Sequence, residues 1–154
     1  MIQPNFSETI CNNSGDSHSL WMEIPLPTFS SLNKDLEVDV CIVGAGISGL
    51  TAAYTLAKLG KSVVVVDQGA IGGGQTARTT AHLTWVLDDR YSDLEKLFGE
   101  EGIKIAATSH SSAIDYIEKI IFEENIECDF ERVDGYLFLD PSDSIEILDK
   151  EYVA

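Results

Sequence analysis

Basic residues are scarce in this sequence: 10 Lys and Arg stand against 26 Asp and Glu, for a formal net charge of -16 at pH 7. So acidic a chain is a poor match for nucleic acid or an anionic membrane surface, and neither is expected as a partner. Cysteine is scarce too. Cys11, Cys41 and Cys128 are odd in number and far apart, which excludes a disulfide framework and a CxxC metal or redox site, so no metal is expected. Cys41 is expected to be a small core residue. No apolar run approaches the roughly 20 residues of a membrane helix, and the polar N-terminus lacks the basic and apolar regions of a signal peptide. A cytoplasmic protein is the expectation. Apolar residues are not lacking: at 44 % of 154 residues they suffice for the core of one domain.

The informative stretch runs from Val38 to Asp67. Val38, Val40, Cys41, Ile42 and Val43 form a nearly unbroken apolar run, the pattern of a strand buried on both faces. GAGISG follows at once. In a dinucleotide-binding turn, Gly44 would make the tight bend, Gly46 would let a pyrophosphate approach the backbone, and Gly49 would let the helix pack on the sheet. The phosphates would then sit on amides of the turn and helix start, which brings Ala45, Ile47 and Ser48 into the candidate site with the three glycines. The helix is expected over about Ile47 to Leu59, with Gly60 capping its end. Ser62 to Val66 is a second buried strand, and it ends at Asp67, 23 positions after Gly44, where an acid meets the adenosine ribose. A carboxylate there disfavours an NADP phosphate but does not separate NAD from FAD. Adenine-dinucleotide binding is therefore the expectation.

Elsewhere the signals are weaker. Residues 1–20 have no hydrophobic period and are expected to be a disordered leader. Trp21 to Leu32 interleaves apolar residues with Pro25 and Pro27, an extended arm that packs on the domain, with Trp21 as an anchor. After Asp67 come Gln68, then Gly72, Gly73 and Gly74, then Thr76, Arg78, Thr79 and Thr80; this loop supplies hydroxyl and guanidinium donors for an oxygen-rich ligand. Ser92 and Glu95 have capping-box spacing. A long amphipathic helix interrupted by Gly99 and Gly102 then ends near Asn125, with His110 on its apolar stripe, expected as a hydrogen-bonded core histidine. Asp134-Gly135 between short strand-like runs signals a hairpin. A last helix is expected from about Ile145.

Together DVCIVGAGISGLTAAYTLAKLGKSVVVVD, GGGQTARTTAHLTWVLDDRY and CDFERVDGYLFLD make the chain resemble the N-terminal part of the D-amino-acid-oxidase-like family of FAD-dependent oxidoreductases. The likeness is greatest to the bacterial branch with a C-terminal Rieske domain. It implies FAD as the cofactor, with Gln68, Gly74, Thr76, Arg78, Thr79, Thr80 and His82 among the residues beside it. Some relatives link FAD covalently through a histidine near here, but alignment puts Thr79 rather than His82 at that position, so a non-covalent contact is implied. The fold class implied is α/β: a partial Rossmann-like FAD-binding domain over 21–127, then the start of an antiparallel-sheet substrate domain over 128–154. The full enzyme would oxidise a small amine or similar substrate by hydride transfer to flavin, and no catalytic residue can be assigned. A doubly wound sheet needs about six strands, so the chain is expected to be a truncated piece whose partner is the missing C-terminal part. Two alternatives remain open: an inactive remnant binding nucleotide weakly or not at all, and an NAD-binding dehydrogenase module.

Overall fold

The structure, a computed structural model, describes residues 20–154. Of the leader expected over residues 1–20, all but the backbone of Leu20 lies outside the described residues, and so does the side chain of Trp21. The chain divides after Ala81 into two compact units.

The first unit is built on a parallel pair of strands. Strand β1 (Val40–Val43) runs beside β2 (Val63–Val66), pairing Val40 with Val63 and Val43 with Val66. Helix α1 (Ile47–Lys58) connects them and packs on both. Its end is set by Gly60, whose φ of 79° only glycine adopts without strain. That turn satisfies the last carbonyls: the Gly60 amide donates to Ala57 O at 2.9 Å and the Lys61 amide to Leu56 O at 3.1 Å.

Sequence and structure part over the second face of this sheet. Val40 and Ile42 are half-buried beneath α1, whereas Cys41 and Val43 are exposed, Val43 at 85 %. The expectation that β1 is buried on both faces, with Cys41 in the core, is therefore corrected. Helix α1 supplies one covering layer, and no described element of this unit forms a second layer on the other face. The arm is similar. It opens with a 3-10 turn at Leu20–Glu23 and continues without regular secondary structure; Leu26 reaches Gly72, but Ile24, Leu26, Phe29 and Leu32 are all exposed.

The second unit centres on α2 (Tyr91–Glu123), broken at Gly99 (φ 72°, ψ 169°) as its glycine suggested. Ile103, just beyond the break, is buried. Asn125, at φ 51°, closes the helix as Gly60 closes α1, with the Ile126 amide donating to Ile121 O at 2.9 Å. The start differs from expectation. Arg90 occupies the capping position without a side-chain bond, Ser92 lies inside the helix, and the Ser92 to Glu95 box does not form. The free amides are taken instead by Glu151 of α3 (Ile145–Val153), whose Oε1 accepts from Tyr91 N at 2.8 Å and Oε2 from Ser92 N at 3.0 Å. Burial raises the Glu151 pKa, but the Ser92 and Tyr91 amides, the Ser92 hydroxyl and the Arg90 charge together outweigh it and leave the carboxyl below its ordinary value. His110 is exposed rather than in the core, because no described element of this unit covers that turn of α2.

The hairpin expected over 128–139 is not formed. A two-residue turn of the favoured type needs positive φ at both central residues, and neither Asp134 nor Gly135 has it. A lone pair of strands is at best marginal in water. The segment is instead anchored to α2 by Arg132, whose Nη2 meets Asp115 Oδ1 at 2.6 Å and Glu118 Oε2 at 2.7 Å. Val133, Tyr136, Leu137 and Phe138 are exposed. Helix α3 forms where expected, capped by the Ser144 hydroxyl on the Glu146 amide at 3.3 Å.

Candidate functional site

The glycine turn joins β1 to α1, and each of its glycines has a distinct physical reason to be there. Gly44 has φ 110° with open space where a side chain would start, so its role is conformational. A Cβ on Gly49 would lie 1.9 Å from the Gly44 carbonyl oxygen and 3.3 Å from Ile42 Cγ2, so the helix sits against the strand at a distance only glycine permits. At Gly46, which begins α1 in extended conformation (φ -82°, ψ -177°), a Cβ would lie 3.1 Å from Thr76 Oγ1.

Three hydrogen bonds tie this turn to the segment after β2. Ala45, only 2 % exposed, donates its amide to Asp67 Oδ2 at 2.6 Å and accepts from the Gly72 amide at 2.8 Å. Ile47 donates its amide to Thr76 Oγ1 at 3.0 Å. The other Asp67 oxygen accepts from Gly69 N at 2.8 Å. The Ala45 and Gly69 amides hold the Asp67 carboxyl below the ordinary carboxylate value, so it is ionised at neutral pH. Ser48 and Gly49 lie in the first turn of α1, whose amides have no intrahelical acceptor and point out of the helix start. The result is an anion-compatible turn with a carboxylate fixed at its flank.

The loop is folded rather than loose. Gly72 and Gly74 take positive φ (66° and 63°), and Thr76–Arg78 forms a 3-10 turn. Arg78 Nη1 donates to Gly74 O at 2.9 Å, and Thr79 Oγ1 accepts from Ala81 N at 3.3 Å. Gln68, Thr79 and Thr80 are exposed, and His82 opens the second unit, also exposed. Thus Gly44, Ala45, Gly46, Ile47, Asp67 and Thr76 come together in one bonded cluster, with Ser48 and Gly49 beside them. Gly74 and Arg78 brace the loop that carries Thr76. Two contributions were not foreseen: the Gly72 amide, and the use of Thr76 as a helix cap. A signal for the second existed, since Gly46 has no side chain and α1 needed a capping oxygen from elsewhere.

The residues fit an adenine dinucleotide. The donors at the helix start suit phosphate, the fixed carboxylate suits ribose hydroxyls, and the glycines keep the approach clear. Among the described residues, no helix is long and apolar enough to cross a membrane.

Comparison with known proteins identifies relatives of this chain. YhfW of Bacillus subtilis (strain 168), whose name marks it as a Rieske 2Fe-2S iron-sulfur protein, is 36 % identical over 129 residues, covering 84 % of this chain and 25 % of that protein. Gamma-glutamylputrescine oxidoreductase of Escherichia coli (strain K12) is 30 % identical over 115 residues, 75 % of this chain and 26 % of its own length. Thiamine thiazole synthase of Thermotoga maritima is 56 % identical over 46 residues, 30 % of this chain and 18 % of that protein. This chain thus spans about a quarter of the first two relatives' lengths. No solved structure matches. Residues 39–154 match the family described as FAD dependent oxidoreductase, and the chain belongs to that family, whose cofactor is FAD.

Proposed function

We propose that this chain is the dinucleotide-binding portion of an FAD-dependent oxidoreductase, and that it holds FAD through the turn Gly44 to Gly49, Asp67, and the loop from Gln68 through Gly74, Thr76, Arg78, Thr79 and Thr80. The observation that carries the reading is the bonded cluster in which Asp67 and Thr76 from the second connection take the Ala45 and Ile47 amides of the first. The contact of Thr76 with the turn supports counting the loop as part of the nucleotide site, and the family match favours FAD over NAD. His82 joins the site by resemblance alone.

FAD supplies the hydride acceptor when bound. The chain's own contribution is binding and orientation. The helix-start amides offer donors to the pyrophosphate, the Asp67 carboxylate offers acceptors to ribose hydroxyls, and Arg78 brings a positive charge on a braced loop. For the full-length enzyme we propose a small amine as substrate, by analogy with the relative named for gamma-glutamylputrescine, with the rest of the substrate site supplied by the part of the enzyme this chain does not span. A cytoplasmic setting suits that chemistry.

One observation favours a second reading, in which this chain alone binds nucleotide weakly: its only buried apolar residues are Ala45 and Ile103 among those described. Titration of the purified chain with FAD, followed by flavin fluorescence, decides. Saturable binding lost in Gly46→Val supports the assignment, because the valine side chain would enter the space that Thr76 and the phosphates share. Equal binding by parent and variant would refute it.

A further inference from the structure

Helix α1 has no capping side chain of its own, since Gly46 stands at the capping position. The Thr76 hydroxyl, 29 residues away, accepts the Ile47 amide at 3.0 Å in its place. A hydroxyl has one donor hydrogen and two acceptor lone pairs. Accepting from Ile47 therefore leaves the Thr76 hydrogen available for an anion at the turn. Asp67 caps the neighbouring Ala45 amide but, as an ionised carboxylate, can only accept. The two caps thus have opposite aptitudes: one is a donor suited to phosphate, the other an acceptor suited to ribose.

We infer that Thr76 is a positioning residue that assembles the phosphate turn before any ligand arrives, capping Ile47 from the loop and passing that amide's donor character on through its own hydroxyl. This rests on the FAD reading only for the identity of the anion. The arrangement also gives Gly46 a second reason to be glycine. A Cβ there would press on Thr76 Oγ1 at 3.1 Å even with nothing bound, so bare backbone at Gly46 serves the cap as well as the ligand.

The test uses the 154-residue chain with Thr76→Val, which keeps the shape and removes the hydroxyl, and Thr76→Ser, which keeps the hydroxyl. Amide hydrogen exchange is followed without ligand at Ile47, with the β2 ladder amides as internal reference, and FAD affinity is measured on the same proteins. Loss of a helix cap predicts exchange at Ile47 about five- to tenfold faster in Thr76→Val, an unchanged β2 ladder, restoration by Thr76→Ser, and FAD binding weakened in the same order. Unchanged Ile47 exchange in Thr76→Val overturns the inference. So does loss of protection throughout the β2 ladder in Thr76→Val, which would mean general destabilisation rather than a lost cap, or failure of Thr76→Ser to restore Ile47, which would mean that the methyl group rather than the hydroxyl matters. If the parent chain binds no FAD, the FAD reading fails while the exchange experiment still decides the role of Thr76.

Discussion

Replacing Gly49 with alanine separates a packing role from a conformational one. The added Cβ would meet the Gly44 carbonyl oxygen at 1.9 Å and its carbon at 3.1 Å, with Ile42 Cγ2 at 3.3 Å. The obstacle is backbone, which cannot swing aside, and it belongs to the bend that starts the site. Relief requires α1 to back away from β1 by about 1 Å, which breaks the contact that covers the sheet. Overpacking of this kind costs about 3 kcal/mol, the upper end of its usual range. For a unit of this size each kcal/mol moves the midpoint by roughly 4–8 °C, so a fall of more than about 10 °C, or loss of a cooperative transition, is expected. Gly60→Ala is the matched control. It has positive φ but open space, so it carries only backbone strain, roughly 1–2 kcal/mol. Circular dichroism melts of parent and both variants read the outcome. A Gly49→Ala midpoint within about 3 °C of the parent, or above that of Gly60→Ala, would refute the close-packing argument.

Glu151→Ala uncaps α2 and should cost about 1 kcal/mol, with faster exchange at the Tyr91 and Ser92 amides; exchange unchanged at both would show that the carboxylate is not the cap. Asp39, Asp67 and Glu151 all have folded pKa values below their ordinary ones, so the stability they contribute is present above the unfolded values, near 4, and lost as pH falls through the lower folded values. Urea midpoints should therefore be flat from about pH 7 to 5 and decline below about 4; a decline that starts near pH 6 would point to histidine instead. Any flavin carried by the protein should remain in the supernatant after acid precipitation, and flavin in the pellet would contradict the non-covalent assignment.

The βαβ unit was legible because its determinants are local. The glycine spacing, the Val63 to Val66 run and Gly60 each act within a few residues of where they stand. What the sequence did not disclose depends on partners far along the chain. Cys41 looks like a core residue by its neighbours, yet burial on that face needs a second layer. Asp134-Gly135 has the composition of a hairpin turn, yet the strands it would join have no sheet to enter. Nothing near Ser92 announces that its amide is capped by Glu151, and the Ser92 to Glu95 spacing suggested a nearer solution that loses to it. In the site, the members of the turn were recognisable from spacing and those of the loop from family likeness. The bonds that join the two sets were visible in neither.

Four consecutive valines make β2 ambiguous in one respect: shifted by one position, the strand would present the same side chains to its neighbour. A homogeneous run carries no address, so the alignment of β1 with β2 must be written elsewhere. The structure writes it at the entrance to the pair. There the Asp39 amide donates to Ser62 Oγ, and the Ser62 amide and hydroxyl both donate to Asp39 Oδ2, each at 2.8 Å. This clasp is specific to one offset, because a slip of one residue would set Asp39 against Val63 or Lys61, and neither side chain can return the bonds. The far end shares the setting: the register that pairs Ser62 with Asp39 is the one that brings Asp67 to Ala45. A polar pair at the mouth of the sheet thus acts as an index mark, keeping a strand of interchangeable residues in the one position that delivers its terminal acid to the turn.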